Sequence, residues 1–225
     1  MTLSNERRDR FKDAFVPVAL AMGRIGLTPD ALTLIGFAIT IVGAILLSQQ
    51  LWLAGGLVVF LGGVFDMFDG TLARATGRVS RLGAFMDSVF DRWGEAVVYV
   101  GLIAGLGASG WADAPLYAAA AMAAAFMVSY TRAKAESLGF PPGTGMANVG
   151  LAPREVRIAI LTVGLIAAGL LAVDPTSLDD AGGGAYALEA VALEVSLGLI
   201  AILATITTIQ RIVHTINQGR SQDHG

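Results

Sequence analysis

The chain has 225 residues, of which 55% are apolar and 15% charged, with a formal net charge of −3 and no cysteine. Soluble domains carry about 45–50% apolar and about 25% charged residues, so this is the composition of a membrane protein. Disulfides and thiolate metal sites are excluded, and nothing in the charge balance points to nucleic acid as a partner.

The first residues, MTLSNERRDRFKDAF, mix acidic and basic side chains without an apolar stretch, which argues against a signal peptide. Residues 6–23 are expected to form an amphipathic juxtamembrane helix on the cytosolic surface. GLTPDALT, residues 26–33, ends that helix at its proline and leads into the first span. About 20 apolar residues are needed to cross roughly 30 Å of hydrocarbon at about 1.5 Å per residue. Runs of that kind fall at about 31–50, 52–74, 84–107, 114–133, 155–173 and 186–210. The expected fold is therefore an all-α integral membrane protein, a single membrane domain over 1–225 with six transmembrane helices. Glycine and proline mark loops at 139–150 and 172–186. The glycine pairs at 55–56 and 62–63 are expected to let helices approach closely.

Basic residues near span ends stay on the cytosolic side. Arg7, Arg8, Arg10, Lys12 and Arg24 precede the first span, and Arg74, Arg78, Arg81 and Arg92 surround the second-to-third turn. Arg132, Lys134, Arg154 and Arg157 surround the fourth-to-fifth connection, with Arg211 and Arg220 near the end. The opposite connections carry no Lys or Arg. Both termini are expected in the cytosol, at the cytoplasmic membrane.

Four aspartates interrupt the second and third spans, in FDMFDGTLARATGRVSRLGAFMDSVFD, residues 65–91. Asp66, Asp69, Gly70, Ala73 and Arg74 follow i, i+3, i+4, i+7, i+8 and share one helix face; Gly83, Asp87 and Asp91 repeat every four residues and share another. Counting from Trp52 puts Asp66 about 21 Å from the outer face, and counting back from Leu106 puts Asp91 about 22 Å from it. Both then lie near the cytosolic headgroups. An ionised Asp costs roughly 2.5–3.5 kcal/mol at mid-bilayer, so four cost on the order of 10 kcal/mol if nothing compensates them. Cations can offset that cost, and oxygen ligands suit hard divalent ions such as Mg²⁺ or Mn²⁺.

DMFDGTLAR, eight further residues and GAFMDSVFD match D-x2-D-G-x2-A-R-x8-G-x3-D-x3-D without a departure. The pattern resembles the signature of the CDP-alcohol phosphotransferases, which move a phosphoalcohol group from a CDP-linked donor to an acceptor hydroxyl and release CMP. The resemblance implies that Asp66, Asp69, Asp87 and Asp91 hold divalent metal, and that Asp91 is also the base that deprotonates the acceptor. It implies a nucleotide and CDP-lipid site from Pro29, Asp30, Ala31, Leu32, Asp66, Asp69, Gly70, Ala73, Arg74 and Ser80. Family members commonly carry Asn where this chain has Asp30. The resemblance also implies a homodimer.

For the acceptor, Arg132, Lys134, Arg154, Arg157 and Arg211 could ring a cytosolic pocket, with Lys134 and Arg154, then Arg211 and Arg132, the expected binders, and several cations suit a phosphorylated polyol. The pattern is similar to the bacterial and archaeal branch of the family that uses inositol phosphate. APREVR, 152–157, departs from the usual form, in which Glu directly precedes the second arginine. The expected activity is transfer of a phosphatidyl or archaetidyl group to inositol phosphate. One alternative is the same chemistry on glycerol 3-phosphate, as in a phosphatidylglycerophosphate synthase. Another, of a different class, is a divalent-cation transporter, for which intramembrane acids are equally apt.

Overall fold

The computed structural model describes residues 15–111, 113–140, 150–172 and 184–223, with side chains of 184–187 and 221–223 left aside. Seven helices and no strand occur among the described residues. They are α1 (Phe15–Arg24), α2 (Pro29–Ser48), α3 (Trp52–Ala75), α4 (Arg81–Ala108), α5 (Ala114–Ser137), α6 (Arg154–Leu171) and α7 (Gly184–Asp223). The amino-terminal half of the expected surface helix, and most of the two expected long loops, lie outside the described residues.

Local chemistry sets the ends. Thr28 caps α2, its Oγ1 accepting from Ala31 N–H at 3.2 Å, and Ser80 caps α4, its Oγ accepting from Gly83 N–H at 2.9 Å. Between α3 and α4 the chain reverses at Gly77, whose φ of +66° is a conformation glycine adopts without penalty. Helix α5 runs past the expected end at 133, because Arg132, Lys134 and Ala135 continue it until Gly139 at φ +85°. Helix α7 similarly continues well beyond residue 210 as a more polar helix.

The six long helices form a closed ring. Helix α2 packs on α3 and α4, α3 on α6, α6 on α7, α7 on α5, and α5 on α4. Glycines permit the tight joins: a Cβ at Gly43 would sit 3.1 Å from Val59 N, and one at Gly56 would sit 2.8 Å from Leu165 Cβ. The apolar core gathers toward the start of α3 and the end of α4. There Leu47, Trp52, Val98, Leu102 and Leu106 meet Leu193, Leu197 and Ile200 of α7 across a stripe of buried alanines on α5. The other ends of α3 and α4 carry the aspartates. Helix α1 covers that end, with Phe15, Ala19 and Met22 packed on Leu32, Phe68 and Leu72.

Among the described residues, four helices are long and apolar enough to cross a membrane: α2, α3, α5 and Leu188–Arg220 of α7. The remaining two, α4 and α6, carry charges along the turns that would lie in the bilayer, namely Asp87, Asp91, Arg92 and Glu95 on one and Arg154, Glu155 and Arg157 on the other.

Candidate active site

Helices α3 and α4 run antiparallel on either side of the Gly77 turn, and this brings their acidic faces together. Asp66, Asp69 and Asp87 each offer a carboxylate oxygen within 4.8 Å of the others. Asp69 is the most buried of the three, at 5% exposure. Thr33 of α2 donates from Oγ1 to Asp69 Oδ2 at 2.5 Å, and Gly70 N–H donates to Asp69 Oδ1. Three acids at such separation, one buried and two half-buried, repel one another unless a cation lies among them. An all-oxygen donor set is the chemistry that Mg²⁺ or Mn²⁺ accepts, so these residues fit a divalent metal.

Asp91, one turn further along α4, stands outside that group of three. Its Oδ1 lies 2.5 Å from Arg154 Nη1 of α6, and the same nitrogen donates to Asp66 Oδ2 at 2.7 Å. On its other side Asp91 Oδ2 is 3.5 Å from Arg92 Nη2. Asp66 and Asp91 are therefore bridged by one guanidinium.

The expected nucleotide residues line the adjoining rim. A Cβ on Gly70 would lie 3.2 Å from Arg74 Nη1, so the missing side chain lets that guanidinium fold back along α3. A Cβ on Gly83 would lie 3.1 Å from Ser80 Oγ and 3.6 Å from Asp30 Oδ1, which places the PDAL turn of α2 beside the start of α4. Pro29, Ala31 and Leu32 form that turn, and Leu32 is fully buried against α1. Ser80 has a structural task as well, since its hydroxyl caps α4.

The expected acceptor residues divide. Arg154 enters the acid cluster directly. Arg132 is exposed and pairs with Glu136 at 2.9 Å, and Lys134 is exposed at the end of α5. Arg211 is buried at 5% exposure, its Nη1 donating to Val128 O at 2.6 Å. It lies within electrostatic reach of Arg132, Arg157 and Arg92, so the end of the bundle near the acids also holds concentrated positive charge.

Sequence reasoning missed Thr33 and Glu95, and set Arg157 aside because of the departure in APREVR. Thr33 directly follows the PDAL turn, and its position one helical turn after Pro29 was the available signal. Glu95 extends the series Gly83, Asp87, Asp91 by one more step of four, and it is buried. Arg157 is 2% exposed and binds both carboxylate oxygens of Glu95 through Nε and Nη2, one edge of its guanidinium. A cleft opens beside the acids, bounded by α2, α3, α4 and α6, with Thr33, Phe37, Asp66, Glu95, Tyr99 and Arg157 among its walls.

Residues 26–216 match the protein-family model for CDP-alcohol phosphatidyltransferase. The chain belongs to that family. Among relatives, the archaetidylinositol phosphate synthase of Pyrococcus horikoshii is 32% identical over 205 residues, covering 91% of this chain and 92% of the relative. The fold is similar to a crystal structure of the Mycobacterium tuberculosis phosphatidylinositol phosphate synthase with CDP-DAG bound, at TM-score 0.72 and 29% identity over 89% of this chain and 92% of that one. A crystal structure of the same mycobacterial enzyme in complex with manganese and citrate is equally similar, at TM-score 0.72 and 30% identity over 90% of this chain and 88% of that one. The family assignment makes the chain a membrane enzyme of phospholipid synthesis, and the aspartate cluster is where a divalent ion fits.

Proposed function

We propose that this CDP-alcohol phosphatidyltransferase transfers the phosphatidyl or archaetidyl group of a CDP-linked lipid to a hydroxyl of inositol phosphate, releasing CMP. The observation that carries the reading is the gathering of Asp66, Asp69 and Asp87, with Arg154 paired to Asp66 where both line the cleft. The similarity to inositol phosphate lipid synthases over nine-tenths of the chain supports that choice of acceptor.

In this reading Asp66, Asp69 and Asp87 hold a divalent metal, with Asp91 at its edge. Bound there, the metal offsets charge on the donor diphosphate and on departing CMP. Thr33 keeps Asp69 turned toward the cluster. Pro29 to Leu32, Gly70, Ala73, Arg74 and Ser80 receive the cytidine nucleotide, with Gly70 leaving space for it against α3. Arg154, with Lys134, Arg132 and Arg211, holds the acceptor phosphate, since guanidinium groups match phosphate oxygens in pairs. Asp91 takes the proton from the attacking hydroxyl. A new bond forms from acceptor oxygen to the lipid-bearing phosphorus, and the diphosphate bond breaks toward CMP.

We also infer that α4 and α6 cross the bilayer with the other four, giving six spans in one domain, with α1 at the cytosolic surface and both termini inside. Their charges face the bundle, where Arg157 pairs with Glu95 and Arg154 with Asp91, while Val100, Val163 and Leu170 are exposed toward lipid. A homodimer is expected on the family pattern.

The test uses purified protein, Mg²⁺, CDP-diacylglycerol or its ether-lipid counterpart, and labelled inositol phosphate beside labelled glycerol 3-phosphate. Labelled lipid and CMP should appear with inositol phosphate, stop on chelation and return with Mg²⁺ or Mn²⁺. Product from glycerol 3-phosphate alone would replace the acceptor. Cation flux in liposomes without any CMP release would replace the enzyme with a transporter.

A further inference from the structure

Helices α4 and α6 are not neighbours in the ring. Helix α4 packs on α2 and α5, α6 packs on α3 and α7, and the cleft lies between them. What spans the gap is a ladder of two charged rungs. The upper rung joins Arg154 to Asp91 at 2.5 Å, with side-chain exposures of 24% and 16%. The lower rung joins Arg157 to Glu95, with exposures of 2% and 6%. The spacing is matched, three residues on α6 against four on α4, so the rungs lie one helical turn apart.

The lower rung is the better built. Arg157 Nε and Nη2 donate to Glu95 Oε1 at 2.9 and 2.8 Å, and Nη2 also donates to Oε2 at 3.0 Å. Arg157 Nη1 donates to Ala152 O at 3.0 Å, and Ala152 N–H donates to Thr207 Oγ1 of α7 at 3.0 Å. The lead-in to α6 is thus tied from two sides. Glu95 Oε2 also accepts from Arg92 Nη1 at 3.3 Å, and that nitrogen donates to Ser129 of α5. One carboxylate therefore connects α4 with α5, α6 and the strand of chain that precedes Arg154.

The two rungs differ in what they can do. Arg154 lines the cleft, and it and Asp91 keep 24% and 16% of their side-chain surface exposed, so they can exchange each other for substrate groups. Arg157 and Glu95 belong to the cleft wall yet keep only 2% and 6% of their side-chain surface exposed, and separating them would leave a buried charge unpaired, a loss typically larger than the pair's net worth. We propose that Glu95, acting through Arg157, is a positioning residue that fixes where α6 stands against α4 and so holds Arg154 opposite Asp91 while the upper rung opens. Its effect on the acceptor rests on Arg154 being the acceptor-binding arginine; its effect on helix position does not.

The test removes both charges together, as Glu95→Gln with Arg157→Met, because deleting a whole buried pair is often neutral for stability where deleting one member is not. The chain lacks cysteine, so Val100→Cys on α4 and Val163→Cys on α6, both exposed to lipid, accept spin labels without background. In detergent, the labelled double variant should unfold near the parent's temperature, yet its inter-label distance should shift by about 1–2 Å or broaden, the scale of helix shifts in packed proteins. Its KM for inositol phosphate should rise about tenfold, with KM for the CDP-linked lipid within about twofold, since misplacing a binding group by this much removes its contribution selectively. A folded double variant with the parental distance distribution overturns the proposal, as does an unchanged acceptor KM beside a shifted distance. If the parent makes no product from inositol phosphate, the acceptor reading fails, and the distance measurement still decides this one.

Discussion

Thr33 and Asp91 act on the aspartate cluster from opposite sides and by different means. Thr33 sits on α2 and meets Asp69 across a helix boundary, giving its single hydroxyl hydrogen to Oδ2 at 2.5 Å. Replacing it by Val keeps the shape and removes that donor, leaving Asp69 free to turn. Partners of this kind are worth about 10- to 100-fold in metal affinity. Thr33→Val is expected to weaken Mn²⁺ binding by that range in an electron-spin-resonance titration, and Thr33→Ser to restore it. Equal affinity in all three proteins would remove Thr33 from the site. Asp91, in contact with Arg154 and Arg92, is the base in the proposed mechanism. Asp91→Asn should lower turnover by about 10²- to 10⁴-fold, the range for a lost general base. CDP-lipid binding in nanodiscs should persist, because the three clustered aspartates are untouched. Loss of donor binding along with turnover would make Asp91 a ligand-holding residue instead of the base.

At the scale of helices, what could be read in the sequence was what helix geometry alone relates. Asp66 and Asp69, Asp87 and Asp91, and Gly70 with Arg74 are three or four residues apart, so one period places them on common faces. Thr33 with Asp69, and Arg157 with Glu95, are separated by 36 and 62 residues; no local rule pairs them, and only the ring closure does. Glu95 shows the intermediate case, since its spacing was visible but its partner was not. The apolar runs located the six long helices within a few residues except at α7, where falling apolarity past 210 was taken as the end of a helix that continues to Asp223. Close packing between α2 and α4 was equally unreadable. A Cβ on Gly101 would strike the backbone of Ala44, with its Cα 3.0 Å away, whereas one on Gly107 of the same helix meets nothing within 4 Å. Backbone cannot yield as a flexible side chain does. Gly101→Ala should destabilise the protein by about 1–3 kcal/mol through overpacking, read as a lower unfolding temperature in detergent. Gly107→Ala should be neutral or raise stability by up to about 1 kcal/mol, the ordinary helix gain over glycine. Equal effects at both sites would mean that α2 and α4 are not in contact at Gly101.

For the molecule as a whole, the arrangement of charge across the bundle is what joins its two halves. The apolar core around Leu102, Leu106 and Leu197 fills one end, and the aspartates with Arg154, Arg211 and Arg132 gather at the other. A transferase that takes a lipid-linked donor and a water-soluble phosphorylated acceptor needs this division, because one substrate arrives through the bilayer and the other through water. The short turn with Gly77 and Arg78 belongs to the charged end, and the turn with Gln49 joins α2 to α3 at the apolar end. If the charged end faces the cytosol, as the positive-inside rule predicts, the two turns lie on opposite sides of the membrane. Because the chain has no cysteine, single replacements report this directly. Gln49→Cys should react with a membrane-impermeant maleimide in intact cells, and Arg78→Cys only after permeabilisation. The opposite pattern would place the aspartates outside, where neither a CDP-linked donor nor a soluble inositol phosphate made in the cytosol could reach them.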